Sequence, residues 1–107
     1  MERRRNRSPM RHEAMASYLD SLRQQQQLGA VGLVTEEGLL VAGAGEGDLD
    51  RLARVAASSH GRSARWDEEM VHVHRFEALG VPLLLASTGK AVKGPQPLQR
   101  ISRILGC

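Results

Sequence analysis

A chain of 107 residues holds one domain with a modest core and leaves no room for a cofactor-binding domain beside a substrate domain. Tyr18, Trp66 and Phe76 are its only aromatic residues, which excludes modules that stack bases on several rings and leaves Leu, Val, Ile, Ala and Met to build the core. The formal charge of +3 resides in residues 1–13, where Arg3, Arg4, Arg5, Arg7 and Arg11 outnumber Glu2 and Glu13; the rest of the chain is balanced, so its body is not a basic nucleic-acid binder.

Cys107 is the single cysteine, so no intrachain disulfide can form and a reducing compartment is expected. No apolar run approaches the ~20 residues that span a bilayer, and no apolar region follows the arginines as it would in a signal peptide. These features predict a cytoplasmic protein without a membrane span. Cys107 is the last residue, whereas prenylation requires a cysteine four residues from the end.

Residues 1–13, with Ser8-Pro9 and no apolar periodicity, read as a disordered Arg-rich tail ahead of a domain at 14–107. A first helix is predicted from about His12 to Gln27. Its stripe is Met15, Tyr18, Leu19 and Leu22, at i, i+3, i+4 and i+7, and the glutamines at 24–27 form its exposed last turn. Leu28 to Val34 and Leu39 to Ala42 are apolar runs of strand length, joined by a polar turn that ends in Gly38, where a hairpin needs positive φ. Strict alternation would put Leu40 and Ala42 on one face and Leu39 and Val41 on the other. Both faces are then apolar, which predicts cover on both sides.

From Asp48 to Ser59 the stripe Leu49, Leu52, Ala53 and Ala56 predicts an amphipathic helix, ending near His60 with Gly61 as its cap. Ala64 to Trp66 can supply a short extra strand. Glu69 to Phe76 alternates and reads as a strand with Val71 and Val73 on one face and Met70, His72, His74 and Phe76 on the other. A turn at 77–80 leads to a strand over 81–87, near whose start Pro82 belongs because it cannot donate to a ladder. Pro95 and Pro97 introduce a last helix with Leu98, Ile101 and Leu105 in register. The order αββα(β)ββα implies an α+β fold, an antiparallel sheet of four to five strands with helices packed on it.

Candidate chemical motifs are weak. Gly43, Gly45 and Gly47 lie between a strand and a helix, as in a dinucleotide-binding turn. The third glycine has the wrong spacing, the preceding strands form a hairpin, and Glu46, Asp48 and Asp50 would repel a pyrophosphate. Glycines that permit a sharp connection, with acids complementing the helix dipole, explain the segment better. Ser87 to Lys90 ends like a phosphate-binding loop but lacks the first glycine and has Ala91 where a hydroxyl should ligate magnesium. His72 and His74 share a strand face, and two imidazoles alone do not complete a metal site. No serine sits in a nucleophile-elbow pattern. No catalytic residue, metal site or cofactor is therefore assigned.

The chain resembles the Roadblock (dynein light chain) family of longin-like and profilin-like domains. The resemblance rests on Gly29-Ala-Val-Gly-Leu-Val34, on Glu36-Glu-Gly38-Leu-Leu-Val-Ala42 and on the helix Asp48-Leu-Asp-Arg-Leu-Ala-Arg-Val-Ala-Ala57. It covers about Ala14 to Leu105 and implies a non-enzymatic module that dimerises, with second helices side by side and sheets joined through the third central strand. Such modules serve as adaptors or regulators of Ras-like small GTPases, as in bacterial polarity and gliding-motility systems, or as motor adaptors. On the second helix Arg51, Val55 and Ser58 form a face beside the core stripe, and Ala57 adds close-approach surface. With the strand face of His72 and His74 these are the candidate interface residues. Arg3, Arg4, Arg5 and Arg7 offer an alternative function, contact with nucleic acid or another anionic surface through the tail. A small-molecule sensor is a further alternative.

Overall fold

The computed structural model describes residues 2–59, 62–66 and 69–106. Helix α1 spans Glu2–Gln26 and is followed by strands β1 (Ala30–Thr35) and β2 (Leu40–Gly45). Helix α2 (Leu49–Ser58) precedes β3 (Ala64–Trp66), β4 (Glu69–Ala78) and β5 (Val81–Thr88), and α3 (Gln96–Gly106) closes the chain. The strands form one antiparallel sheet in the order β2-β1-β5-β4-β3. The predicted α+β class and element order are those observed, and the short extra strand is present as β3.

Two apolar layers sandwich the sheet, because β1 and β5 are apolar at successive positions and so present both faces to helices. On one face Met15, Leu19 and Leu22 of α1 and Ile101 of α3 meet Val31, Leu33, Leu83 and Leu85. On the other, Leu52, Ala53 and Ala56 of α2 meet Ala30, Val34, Val71, Leu84 and Ala86. Each fully buried leucine contributes about 2 kcal/mol by removal from water. Gly32 lies on the α2 face of β1, where an added Cβ would come within 3.1 Å of Leu40 Cδ1 and 3.6 Å of Leu52 Cδ2. The helix therefore sits close to the sheet because that position has no side chain.

The β1–β2 hairpin closes as predicted, with Gly38 at φ 96°. The Leu39 N–H donates to the Thr35 hydroxyl at 3.1 Å, and the Thr35 N–H donates to the Leu39 carbonyl at 2.9 Å. Alternation along β2 does not hold. The register shifts between Leu33 and Val34, whose partners are Ala42 and Leu40, so Val41 is an extra residue in the ladder. Leu40 consequently packs in the α2 layer while Val41, Ala42 and Ala44 pack in the α1 layer. Leu39, outside the strand, is 64% exposed. The predicted cover on both sides is present, with α1 on one face and α2 on the other.

Two helix ends differ from expectation. The α1 backbone is helical from Glu2, upstream of the helix start near His12 that the sequence predicts. Arg, Glu and Met in this stretch have good intrinsic helix propensity, while Pro9 has no N–H to donate and opposes the continuation. Helix α2 stops at Ser58. The Ser59 N–H donates to the Val55 carbonyl at 3.1 Å and its hydroxyl to the Ala56 carbonyl at 2.8 Å, which satisfies two late carbonyls ahead of the expected glycine cap. That cap and its neighbour, Gly61 and His60, lie outside the described residues.

Candidate partner interface

Helix α2 is fixed in place at its start and on its inner face. The Asp48 carboxylate accepts from the Arg51 N–H at 3.1 Å as N-cap, and Asp50 in the first turn complements the dipole. The connection from β2 depends on Gly45, where a Cβ would lie 2.6 Å from both the Ala30 Cα and the Gly29 carbonyl. Gly45 thus serves a close strand pairing and the acids a helix start.

With Leu52, Ala53 and Ala56 buried, the opposite side of α2 faces solvent. Arg51, Arg54 and Ser58 are exposed there, and Val55 and Ala57 are half-buried. Val55 and Ala57 also pack at the margin of the α2 layer, and the Ala57 Cβ would lie 3.4 Å from a Cβ on Gly38. The Ser58 hydroxyl donates back to the Val55 carbonyl at 3.0 Å. Arg51, Val55 and Ser58, expected to form one face, do lie on one face of α2. Arg54 belongs to that face too and was missed, although its i+3 spacing from Arg51 carries the signal. Helix α2 also touches β3, the outermost strand of the sheet.

His72 and His74 are not part of that surface. They stand opposite Ser87 and Leu85, which in turn stand opposite Val31 and Leu33, and these pairings put both histidines on the α1–α3 side of the sheet. His74 Nε2 lies 3.0 Å from the Val92 carbonyl oxygen, tying β4 to the loop before α3. The basic loop after β5 is likewise locally bonded. The buried Ser87 hydroxyl donates to the Lys90 carbonyl at 2.7 Å and so closes the turn rather than facing solvent. Among the described residues, no group of three or more His, Cys, Asp or Glu side chains is gathered at metal-binding distance.

On the α1–α3 layer, Tyr18 is half-buried with the Arg100 guanidinium 5.9 Å above its ring centroid. Desolvation raises the Tyr18 pKa above 10.0, and the Arg100 charge partly offsets that rise. Among the described residues no helix is long and apolar enough to cross a membrane.

No family model matches the chain, and no curated protein matches it in sequence. Among solved structures it is similar to Myxococcus xanthus MglB, with a TM-score of 0.55 at 15% identity, covering 85% of this chain and 84% of that one. MglB has the Roadblock/longin fold. With three helices on a β2-β1-β5-β4-β3 antiparallel sheet, the present chain folds as a Roadblock/longin-like domain.

Proposed function

We propose that the chain is a cytoplasmic, non-enzymatic module that forms a homodimer and acts as adaptor or regulator of a Ras-like small GTPase. The observation that carries this reading is the exposed face of Arg51, Arg54 and Ser58 on α2, a helix that also touches the edge strand β3. A second copy can then pair helix to helix and edge to edge at once, burying Val55 and Ala57 and satisfying ladder groups that an edge leaves open. Similarity to MglB supports it at the level of the fold. A dimer built this way presents two equivalent surfaces, as a platform for a partner protein requires.

Light scattering on the purified full chain should give twice the 11.7 kDa protomer mass. Small GTPases encoded in the same genome, loaded with GDP or with a GTP analogue, should then be titrated against the dimer. Nucleotide-dependent binding supports the reading. A strict monomer at high concentration, together with no binding to any of these GTPases in either state, eliminates it.

A further inference from the structure

A groove of about 870 Å³, open to solvent, runs between α1 and α3 on the layer of the sheet opposite α2. Its α1 wall is built from small side chains, Ala14, Ser17 and Ser21, and these keep the channel clear along about two turns of helix. Its α3 wall carries Arg100 and Arg103, and among the described residues no carboxylate lines the groove. Of the acids on this part of α1, Asp20 accepts from Arg23 at 3.0 Å and from Gln24 at 3.1 Å, and Glu13 is exposed beside Ala14 and does not line the groove. Among the described residues neither Arg100 nor Arg103 forms an ion pair. Arg100 is held over the Tyr18 ring, so its position at the groove is partly set before any ligand arrives.

The remaining lining decides what kind of anion fits. Gln25, Gln96 and Gln99 each offer an amide donor and an amide acceptor, the same complement a peptide backbone presents. A polynucleotide is a poorer match, because two cations neutralise few phosphates and the single ring, Tyr18, is covered by Arg100. A bilayer surface cannot reach into a channel walled by two helices. We propose that this groove docks an acidic peptide segment of a partner protein, with carboxylates paired to Arg100 and Arg103 and backbone amides bonded to the glutamines.

The site is separate from the α2 face, so a dimer formed through α2 leaves it open, and its test does not depend on the function proposed above.

The probe is a labelled synthetic peptide of alternating glutamate and alanine, with a lysine counterpart, titrated against the full chain by fluorescence anisotropy and by amide NMR. The glutamate peptide should bind while the lysine peptide does not, with shifts concentrated at Ser17, Ser21, Gln99 and Arg103. Arg103→Gln, at an exposed position, should weaken binding several-fold, and Arg100→Gln with Arg103→Gln about tenfold or more, as expected for lost charge-assisted bonds. Arg100→Lys, which keeps the cation over Tyr18, should recover part of the affinity, and thermal melts should show that all three variants fold. No binding of the glutamate peptide overturns the proposal, as does binding that Arg103→Gln leaves unchanged. Binding lost instead on neutralising Arg3, Arg4, Arg5 and Arg7 assigns it to the upstream arginines and overturns it as well. A single-stranded oligonucleotide or an anionic vesicle that shifts the same groove amides at lower concentration than the peptide also overturns it.

Discussion

A Cβ on Gly45 would lie 2.6 Å from the Ala30 Cα, so the end of β2 pairs this closely with the start of β1 only because this position has no side chain. Gly45 also has φ 110°, a conformation other residues rarely adopt. Gly45→Ala should therefore destabilise the domain by about 3 kcal/mol or more, since backbone must move as well as strain. Gly47, at φ 97° with nothing within 4 Å of its Cβ position, isolates the conformational part. Gly47→Ala should cost only about 1 kcal/mol. Denaturant unfolding of the two variants checks the contrast.

Leu79 and Gly80 form the two-residue turn between Ala78 and Val81, with φ 56° and 76°, the pattern of a type I′ hairpin. Leucine is a poor residue for the first of these positions, and its side chain is 69% exposed, so packing returns little. Leu79→Asn should stabilise the chain by about 0.5–1 kcal/mol through relief of that strain. A rise in the denaturation midpoint with an unchanged slope is the expected signature.

Tyr18 is the only tyrosine, so its ionisation can be followed by absorbance near 295 nm without assignment. Burial raises its folded pKa above the unfolded value of 10.0. The neutral ring is thus favoured in the fold, and the stability tied to it is fully present below pH 10.0 and is lost as pH rises through the higher folded pKa. The native titration midpoint should lie above that of the denatured chain. Arg100→Gln should move it higher still, because the offsetting charge is gone. In Tyr18→Phe the alkaline loss of stability should be smaller.

Ser58 is exposed on the outward side of α2 and bonds only within its own helix. Ser58→Arg should leave protomer stability within about 0.5 kcal/mol, as surface changes generally do. If α2 pairs with its symmetry mate, the same change should raise the dimer dissociation constant tenfold or more, by inserting a bulky charge on both sides of a two-fold contact. Sedimentation across a concentration series distinguishes the two effects.

Much of the fold was legible because local spacing carries it. The stripes Met15, Leu19, Leu22 and Leu52, Ala53, Ala56 are buried as the helical period predicts, and Val71 is buried on the strand face assigned to it. The candidate interface residues do not all share one surface. Arg51, Val55 and Ser58 share one surface, but His72 and His74 stand across the sheet from it, a separation that depends on how β4 pairs with β5 and β5 with β1.

The sequence by itself determined the elements, their order and their apolar faces, because those follow from periods of 3.6 and 2.0 residues and from turn chemistry within a few positions. Tertiary structure alone decided the strand order, the extra Val41 that sends Leu40 and Ala42 to opposite layers, and the groove between α1 and α3. Each of these is a relationship between residues far apart in the chain. Such relationships are fixed by which hydrogen-bond ladders and side-chain packings close together, and no local pattern encodes that choice.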